Sequence, residues 1–400
     1  MEQSHDKLIM TVNAGSSSIK IGLFKGHPGQ DVPVLFAGAK FDGIGTLPRM
    51  KVTRADGSLA TEKQFDPKEA HDQITAFKLI FPALLSELHG QEPALIAHRI
   101  VHGGEHYTEP VLMNQHHLQE LKKVIPLAPL HEPFNLAPIE QILKSNPTLP
   151  QVACFDTAFH ANRSELSMLT GLPYSYYEQG IRRYGFHGLS FEYISHQLHH
   201  VAPSIANGKV IIAHLGSGVG LCSIENGKCV EVTTSFTALD GVPMGSRTGT
   251  LDPGVMLYLV GQGKTYDELE NILYRQSGLL GISGVSNDMR TLRSSGDKRA
   301  QLAIDYFAYH IAQQIGRLAV TVGGLDGLVF TAGIGEKDAK LRSQVVRYLE
   351  PIFKLELDEQ ANEGNAFQIS SGESQAPVLV IPTDEESMLA KHAWKIYNKL

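Results

Sequence analysis

Two stretches of this chain share one design: a short apolar run, a bend of small hydrogen-bonding residues, and a second apolar run. The first is Met10-Thr-Val-Asn-Ala-Gly-Ser-Ser-Ser-Ile-Lys20, and the second is Val210-Ile-Ile-Ala-His-Leu-Gly-Ser-Gly-Val-Gly-Leu-Cys-Ser-Ile224. Shifted by 201 positions, Asn13 falls on His214, Gly15 on Gly216 and Ser16 on Ser217. Strand, bend and strand repeated about half a chain apart predict a duplicated α/β domain with a cleft between the copies. Asn226-Gly227 then supplies a hairpin turn into a further strand. A third small-residue bend, Phe330-Thr-Ala-Gly-Ile-Gly-Glu336, follows a strand-like run and precedes a helix.

The segments between these landmarks alternate. Residues 8–13 and 19–24 read as strands, with more strand-like segments through residue 60. Ile74, Phe77, Phe81, Leu84, Leu85 and Leu88 recur at helical spacing over 71–88, with Gly90 as the stop. A strand over 94–101, a helix over 135–144 and a buried strand over 151–155 follow. Along residues 300–322, Ile304, Phe307, Ile311, Ile315, Leu318 and Val322 share one helix side, as core or as a dimer interface. Four hundred residues predict two domains. The expected division is 1–155, joined by the C-terminal segment 385–400, and 156–384, the second carrying nucleotide-binding and dimer surfaces.

Composition excludes several partners. A formal charge of −7 with no run of Lys and Arg gives no footprint for nucleic acid. The polar start, MEQSHDK, and an apolar run cut by Asn13 and the serines predict neither a signal peptide nor a membrane span. Cys154, Cys222 and Cys229 are odd in number and lack CxxC spacing, which fits a reducing compartment and sets the cytoplasm as the expected location.

The bends carry the chemistry. Converging backbone N–H groups hold phosphates, and glycine lets the chain approach without a Cβ clash. Ser16 and Ser18 add donors, and Lys20 adds a point charge. Taken alone, the first bend could equally be a tight hairpin whose hydroxyls satisfy their own backbone. No Walker pattern is present: Gly261-Gln-Gly-Lys-Thr265 has Tyr258 where the first Gly belongs, and Thr265 with Glu268 reads as a capping box. His196, His199 and His200 have no neighbouring Cys or HExxH pattern and read as a solvated helix face.

Taken together, the motifs resemble one family. Asn13-Ala-Gly-Ser-Ser-Ser-Ile-Lys20, His98-Arg-Ile-Val-His-Gly-Gly-Glu105, Phe155-Asp-Thr-Ala-Phe-His160, Tyr184-Gly-Phe-His-Gly188, Pro243-Met-Gly-Ser-Arg247 and the 330–336 bend are similar to those of acetate kinases, in family order through nearly the whole chain. The resemblance implies a duplicated actin-like, sugar-kinase-like α/β fold of two domains with a central cleft. It also implies a homodimer and reversible, in-line transfer of the ATP γ-phosphoryl group to acetate or another short-chain carboxylate. It implies Mg²⁺, with Mn²⁺ as a substitute, associated with Glu385 and Asn13. Arg99 and Arg247 match the two active-site arginines, His187 a donor to the transferring phosphoryl group, and Asp156 a positioning carboxylate.

The same resemblance sets the acyl pocket at Val101, Leu130, Phe186 and Ala238. It sets the nucleotide at His214, Leu215, Gly216, Ser217 and Gly218, at Asp288, Met289 and Arg290, and at Gly333, Ile334, Gly335 and Lys337. The chain departs from the family pattern at several of these places. Ser217 and Lys337 replace Asn, Leu189 and Phe191 replace Thr and His, and Asn is commoner at Glu132 and Asp384. Ala238 replaces a pocket-lining Pro, and a smaller lining residue could admit one more methylene, so propionate is the second acid. An actin-like ATPase and a sugar kinase are the rival classes; the first would not account for Arg99, Arg247 and His187 with these neighbours, and the second would need an aspartate base, for which Asp156 could serve.

Overall fold

The computed structural model describes residues 6–15, 18–87 and 91–400. Ser16, Leu88 and Gly90, named above, lie outside the described residues. The chain divides into two compact units. One runs to Ala158 and takes in Asp384–Leu400; the other is Phe159–Thr383.

The first unit is built on an eight-stranded sheet. Its strands are β1 (Lys7–Ala14), β2 (Ser18–Gly26), β3 (Val34–Asp42), β4 (Arg49–Arg54), β5 (Leu59–Gln64), β6 (Leu95–Ile100), β7 (Val111–Leu112) and β8 (Gln151–Phe155). They lie in the order β5-β4-β3-β2-β1-β6-β8-β7. β1 to β5 are antiparallel, as short connections require. β6 and β8 run parallel to β1, because the helices Gln73–Glu87 and Glu132–Ser145 lie on the connections. β8 is buried at every residue, the mark of a strand covered on both faces. The helix Glu385–Tyr397 packs on β1, β6 and β8. Its Trp394 is buried and donates Nε1–H to the Gln30 carbonyl at 2.8 Å. One residue departs from the sequence reading: Ile74, assigned to the apolar stripe, is 50% exposed at the helix start, while Leu84 is buried.

The second unit has a five-stranded sheet of β9 (Val210–Leu215), β10 (Val219–Glu225), β11 (Lys228–Val232), β12 (Gly327–Thr331) and β13 (Val378–Val380). Its order, β11-β10-β9-β12-β13, has the same plan as β3-β2-β1-β6-β8 in the first sheet. In both, three antiparallel strands are followed by two parallel ones. The internal repeat seen in the sequence is therefore a repeat of topology. The bends differ, however. Ala14 pairs with Ile19 in the first hairpin and Leu215 with Val219 in the second, so the second bend is one residue shorter. Each closes on itself, Gly15 N–H to Ser18 O at 2.8 Å and Gly216 N–H to Gly218 O at 3.1 Å.

Asn226 and Gly227 take φ of 52° and 70°, the left-handed pair of a type I′ turn. Lys298–Val322 forms one helix, and the apolar stripe read from the sequence faces the core of its own unit. Thr265 and Glu268 make both bonds of the capping box. His199 and His200 are exposed on the helix Gly188–Val201. Among the described residues, no helix is long and apolar enough to cross a membrane.

Candidate active site

In the first unit, the carboxyl ends of the parallel strands carry the charged groups, where α/β sheets place their ligands. Arg99 stands near the end of β6. Asp156 follows β8, its N–H extending the ladder to Ile100 O at 2.9 Å. Arg99 forks onto Asp156, with Nη2 to Oδ2 at 2.7 Å and Nε to Oδ1 at 3.0 Å. Its Nη1 meets Glu385 Oε2 at 2.9 Å and Asn13 Oδ1 at 3.5 Å. Asp156 is buried and Arg99 nearly so. Burial works against the guanidinium charge, but Asp156, Glu385 and then Glu386 outweigh it and raise its pKa. The cluster thus holds a fixed cation among more negative charge than it neutralises.

That arrangement bears on a metal. Glu385 and Asn13 present a carboxylate and an amide oxygen to the same nitrogen of Arg99, an all-oxygen donor set of the kind hard divalent cations take. The residues therefore fit Mg²⁺. Lys20 pairs instead with Glu386 at 3.9 Å, and Ser18 closes its bend through its carbonyl.

Three polar residues that the sequence reading assigned no role brace this cluster. Asn135, on the helix Glu132–Ser145, accepts from Val101 N–H at 3.0 Å and donates to Ala14 O at 2.6 Å, tying the end of β6 to the end of β1. Thr157 Oγ1 accepts from Gly103 N–H at 3.0 Å, and Glu132 Oε2 from His102 N–H at 3.2 Å. Asn135 shows in the sequence only as a polar residue on an otherwise apolar helix, Thr157 as a member of the 155–160 motif, and Glu132 as an acid where Asn is commoner. Leu130 is half-buried just before this helix. Asn135→Ala is expected to cost about 1–3 kcal/mol, because it leaves a buried donor and acceptor unmatched; urea unfolding followed by circular dichroism measures it.

In the second unit, His187 precedes the helix Gly188–Val201 in a left-handed conformation, φ 60°. Its ring stacks on that of His214 with centroids 4.4 Å apart. Ser190 Oγ meets His214 Nδ1 at 2.8 Å, and Thr383 Oγ1 at the same distance. A Cβ at Gly218 would lie 2.9 Å from the His187 ring, so only glycine lets that ring lie against β10. Phe191 meets His214 edge-on, with centroids 6.3 Å apart. It and Leu189 are core residues here. Phe186 is buried; its N–H donates to Thr234 Oγ1 at 3.0 Å and its carbonyl meets His160 Nε2 at 3.0 Å. Arg247 donates Nη1–H to the Ala238 carbonyl at 3.0 Å beside Met244 Sδ. Burial lowers its pKa, with Tyr274 acting the other way.

A groove of about 1010 Å³ in the same unit gathers most of the residues assigned to the nucleotide. Gly216, Ser217, Asp288, Met289, Arg290, Gly333, Ile334 and Lys337 line it. His214, Leu215, Gly218 and Gly335 do not. Leu215 is in the core, and Gly335 packs against the Phe330 and Ala213 backbone. Asp288 caps the helix Met289–Ser294 and pairs with Arg290 at 2.7 Å, its carboxyl held down to about 2 chiefly by that bond. The groove also takes in Asn287, Phe307 and the Arg293–Asp338 ion pair, which the motifs did not flag.

The comparisons agree with one another. The family model described as the Acetokinase family matches residues 8–391. The acetate kinase of Nitrobacter hamburgensis is 45% identical over 96% of this chain and 95% of its own. That of Rhizobium meliloti is 44% identical over 96% and 97%. Among solved structures, a propionate kinase from Francisella tularensis superposes with a TM-score of 0.87 at 33% identity, covering 96% of this chain and 98% of that one. Porphyromonas gingivalis acetate kinase gives 0.84 at 33%, covering 98% and 100%. The two sheets of common plan are those of a duplicated actin-like fold. The chain belongs to the acetokinase family.

Proposed function

We propose that this chain reversibly transfers the γ-phosphoryl group of ATP to acetate, forming acetyl phosphate and ADP. The observation that carries the reading is Arg99, held charged beside Asp156 and Glu385 at the strand ends. A carboxylate oxygen attacks phosphorus while the bond to the ADP oxygen breaks. Because acetate is already ionised, no base is needed, and the task is to bring two anions into line. Arg99 binds the acid's carboxylate, and Asp156 fixes the orientation of its fork. Arg247 and His187 donate to the phosphoryl oxygens as charge spreads over them. Asn13 and Glu385 would hold Mg²⁺, which neutralises phosphate charge when bound. The Gly216 bend, with Ser217, and the groove running to Asp288 and Gly333 take the nucleotide.

Propionate is the second substrate. Ala238 is a small residue at the acyl pocket, and one methylene is worth about 1–3 kcal/mol of discrimination. A homodimer in the cytoplasm is the expected setting of the enzyme, and sedimentation of the purified protein measures the first part. The test of the reaction is trapping with hydroxylamine. Acyl hydroxamate is expected with ATP, Mg²⁺ and acetate, faster than with propionate or butyrate. ATP hydrolysis indifferent to any acid would instead support an actin-like ATPase.

A further inference from the structure

Glu132 is the first residue of the helix Glu132–Ser145, and its side chain is fully buried. Oε2 accepts one hydrogen bond, from His102 N–H at 3.2 Å. Oε1 has no hydrogen-bond partner among the described residues. A buried carboxylate needs several donors or a cation, and one peptide N–H is far short of that.

His102 and Arg99 do not supply the missing charge. His102, on the loop after β6, is itself buried, and burial pushes its imidazole down to about 3, so it stays neutral. His131 is adjacent on the same segment. Arg99 is committed to Asp156 and Glu385. Asp156, after β8, is an anion. The loop from Ile100 to Gly103 links them: Asp156 N–H bonds Ile100 O, Gly103 N–H bonds Thr157 Oγ1, and His102 N–H bonds Glu132. A helix start favours an anion, but burial dominates. It pushes the Glu132 carboxyl up to about 8; the His102 N–H pulls back, and the Asp156 charge adds to the rise.

We propose that Glu132 is a positioning residue that keeps the Asp156–Arg99 pair competent to bind the acid only while its own carboxyl carries a proton. Once ionised, it brings a second buried anion to the loop that Asp156 shares. Repulsion between the two anions shifts the loop that links them, the Asp156–Arg99 fork loses its alignment, and the hold on a substrate carboxylate weakens. Acid binding is thereby gated against alkaline pH. The inference rests on the acetate-phosphorylating reading and specifies the regulation of that same site.

The experiment compares the wild-type enzyme with Glu132→Gln, a neutral isostere, measuring KM and kcat for acetate and the melting temperature from pH 5 to pH 9.5. Glu132→Asn serves as a second neutral variant should the first fold poorly. For the wild type, KM is expected to rise about tenfold from pH 7 to pH 9, following the ionised fraction of a group near 8. The rise in KM should exceed any change in kcat, and be absent in the Gln variant. Stability supplies a readout free of catalysis. The folded-state pKa is raised, so the proton's contribution is fully present below about 4.5 and is lost as pH climbs to about 8. The wild type should therefore fall progressively below the Gln variant across that window. The same KM rise in the Gln variant, or a flat KM in both, overturns the gate and leaves the proposed reaction standing. Wild-type protein that makes no acetyl phosphate at pH 7 overturns the reaction and the gate together.

Discussion

Arg99→Ala is expected to lower kcat/KM for acetate by about a thousandfold and to destabilise the fold by about 3 kcal/mol. The two effects have one origin. The guanidinium is fixed by a fork to Asp156 and a third bond to Glu385, so it supplies a preorganised positive group without rotamer search. Removing it takes away the partner proposed for the acid and leaves buried Asp156 and Glu385 without their shared cation. Arg99→Lys should restore much of the stability and little of the rate, because an ammonium neutralises but cannot fork. Initial rates with acetate and urea titrations of the three proteins separate the contributions.

Arg247→Ala should behave differently. Its guanidinium donates to the Ala238 carbonyl and lies by the Met244 sulfur, so truncation costs a hydrogen bond, about 1 kcal/mol. If Arg247 is the proposed donor to the developing phosphoryl charge, the loss should fall on kcat, by about a hundred- to a thousandfold, since such a donor acts in the transition state. Acetate KM should change little. A variant that raised KM with normal kcat would place Arg247 in ground-state binding instead.

Much of the architecture was legible because it is written in local pattern. The β8 segment, fully buried, reads as a continuous apolar run over 151–155. The two hairpins, the Asn226-Gly227 turn and the capping box each need only a few neighbouring residues to announce themselves. Ile74 failed the same test because periodicity finds a helix face but not where along the helix that face meets the core. The one-residue difference between the bends is likewise invisible to a shift of 201 positions, since pairing register, not residue identity, defines it.

The site was legible in its charged members and not in its supports. Arg99, Asp156 and Glu385 are far apart in the chain, and only the parallel arrangement of β6 and β8 and the returning helix Glu385–Tyr397 bring them to one place. Asn135 and Thr157 act through backbone groups of β1 and of the loop after β6, a relation that no motif records. Glu132 was visible as an acid where Asn is commoner, but its burial was not. Glycine at 218 reads as a phosphate-loop residue, yet in the fold it also clears room for the His187 ring.

In the proposed reaction, the Arg99 guanidinium receives the acid's carboxylate. A crystal structure with acetate and a non-hydrolysable ATP analogue bound tests this most directly. The predicted result is an acetate carboxylate within hydrogen-bond distance of Arg99, with the terminal phosphoryl group on Arg247. Acetate bound with neither arginine in contact with either ligand would contradict it.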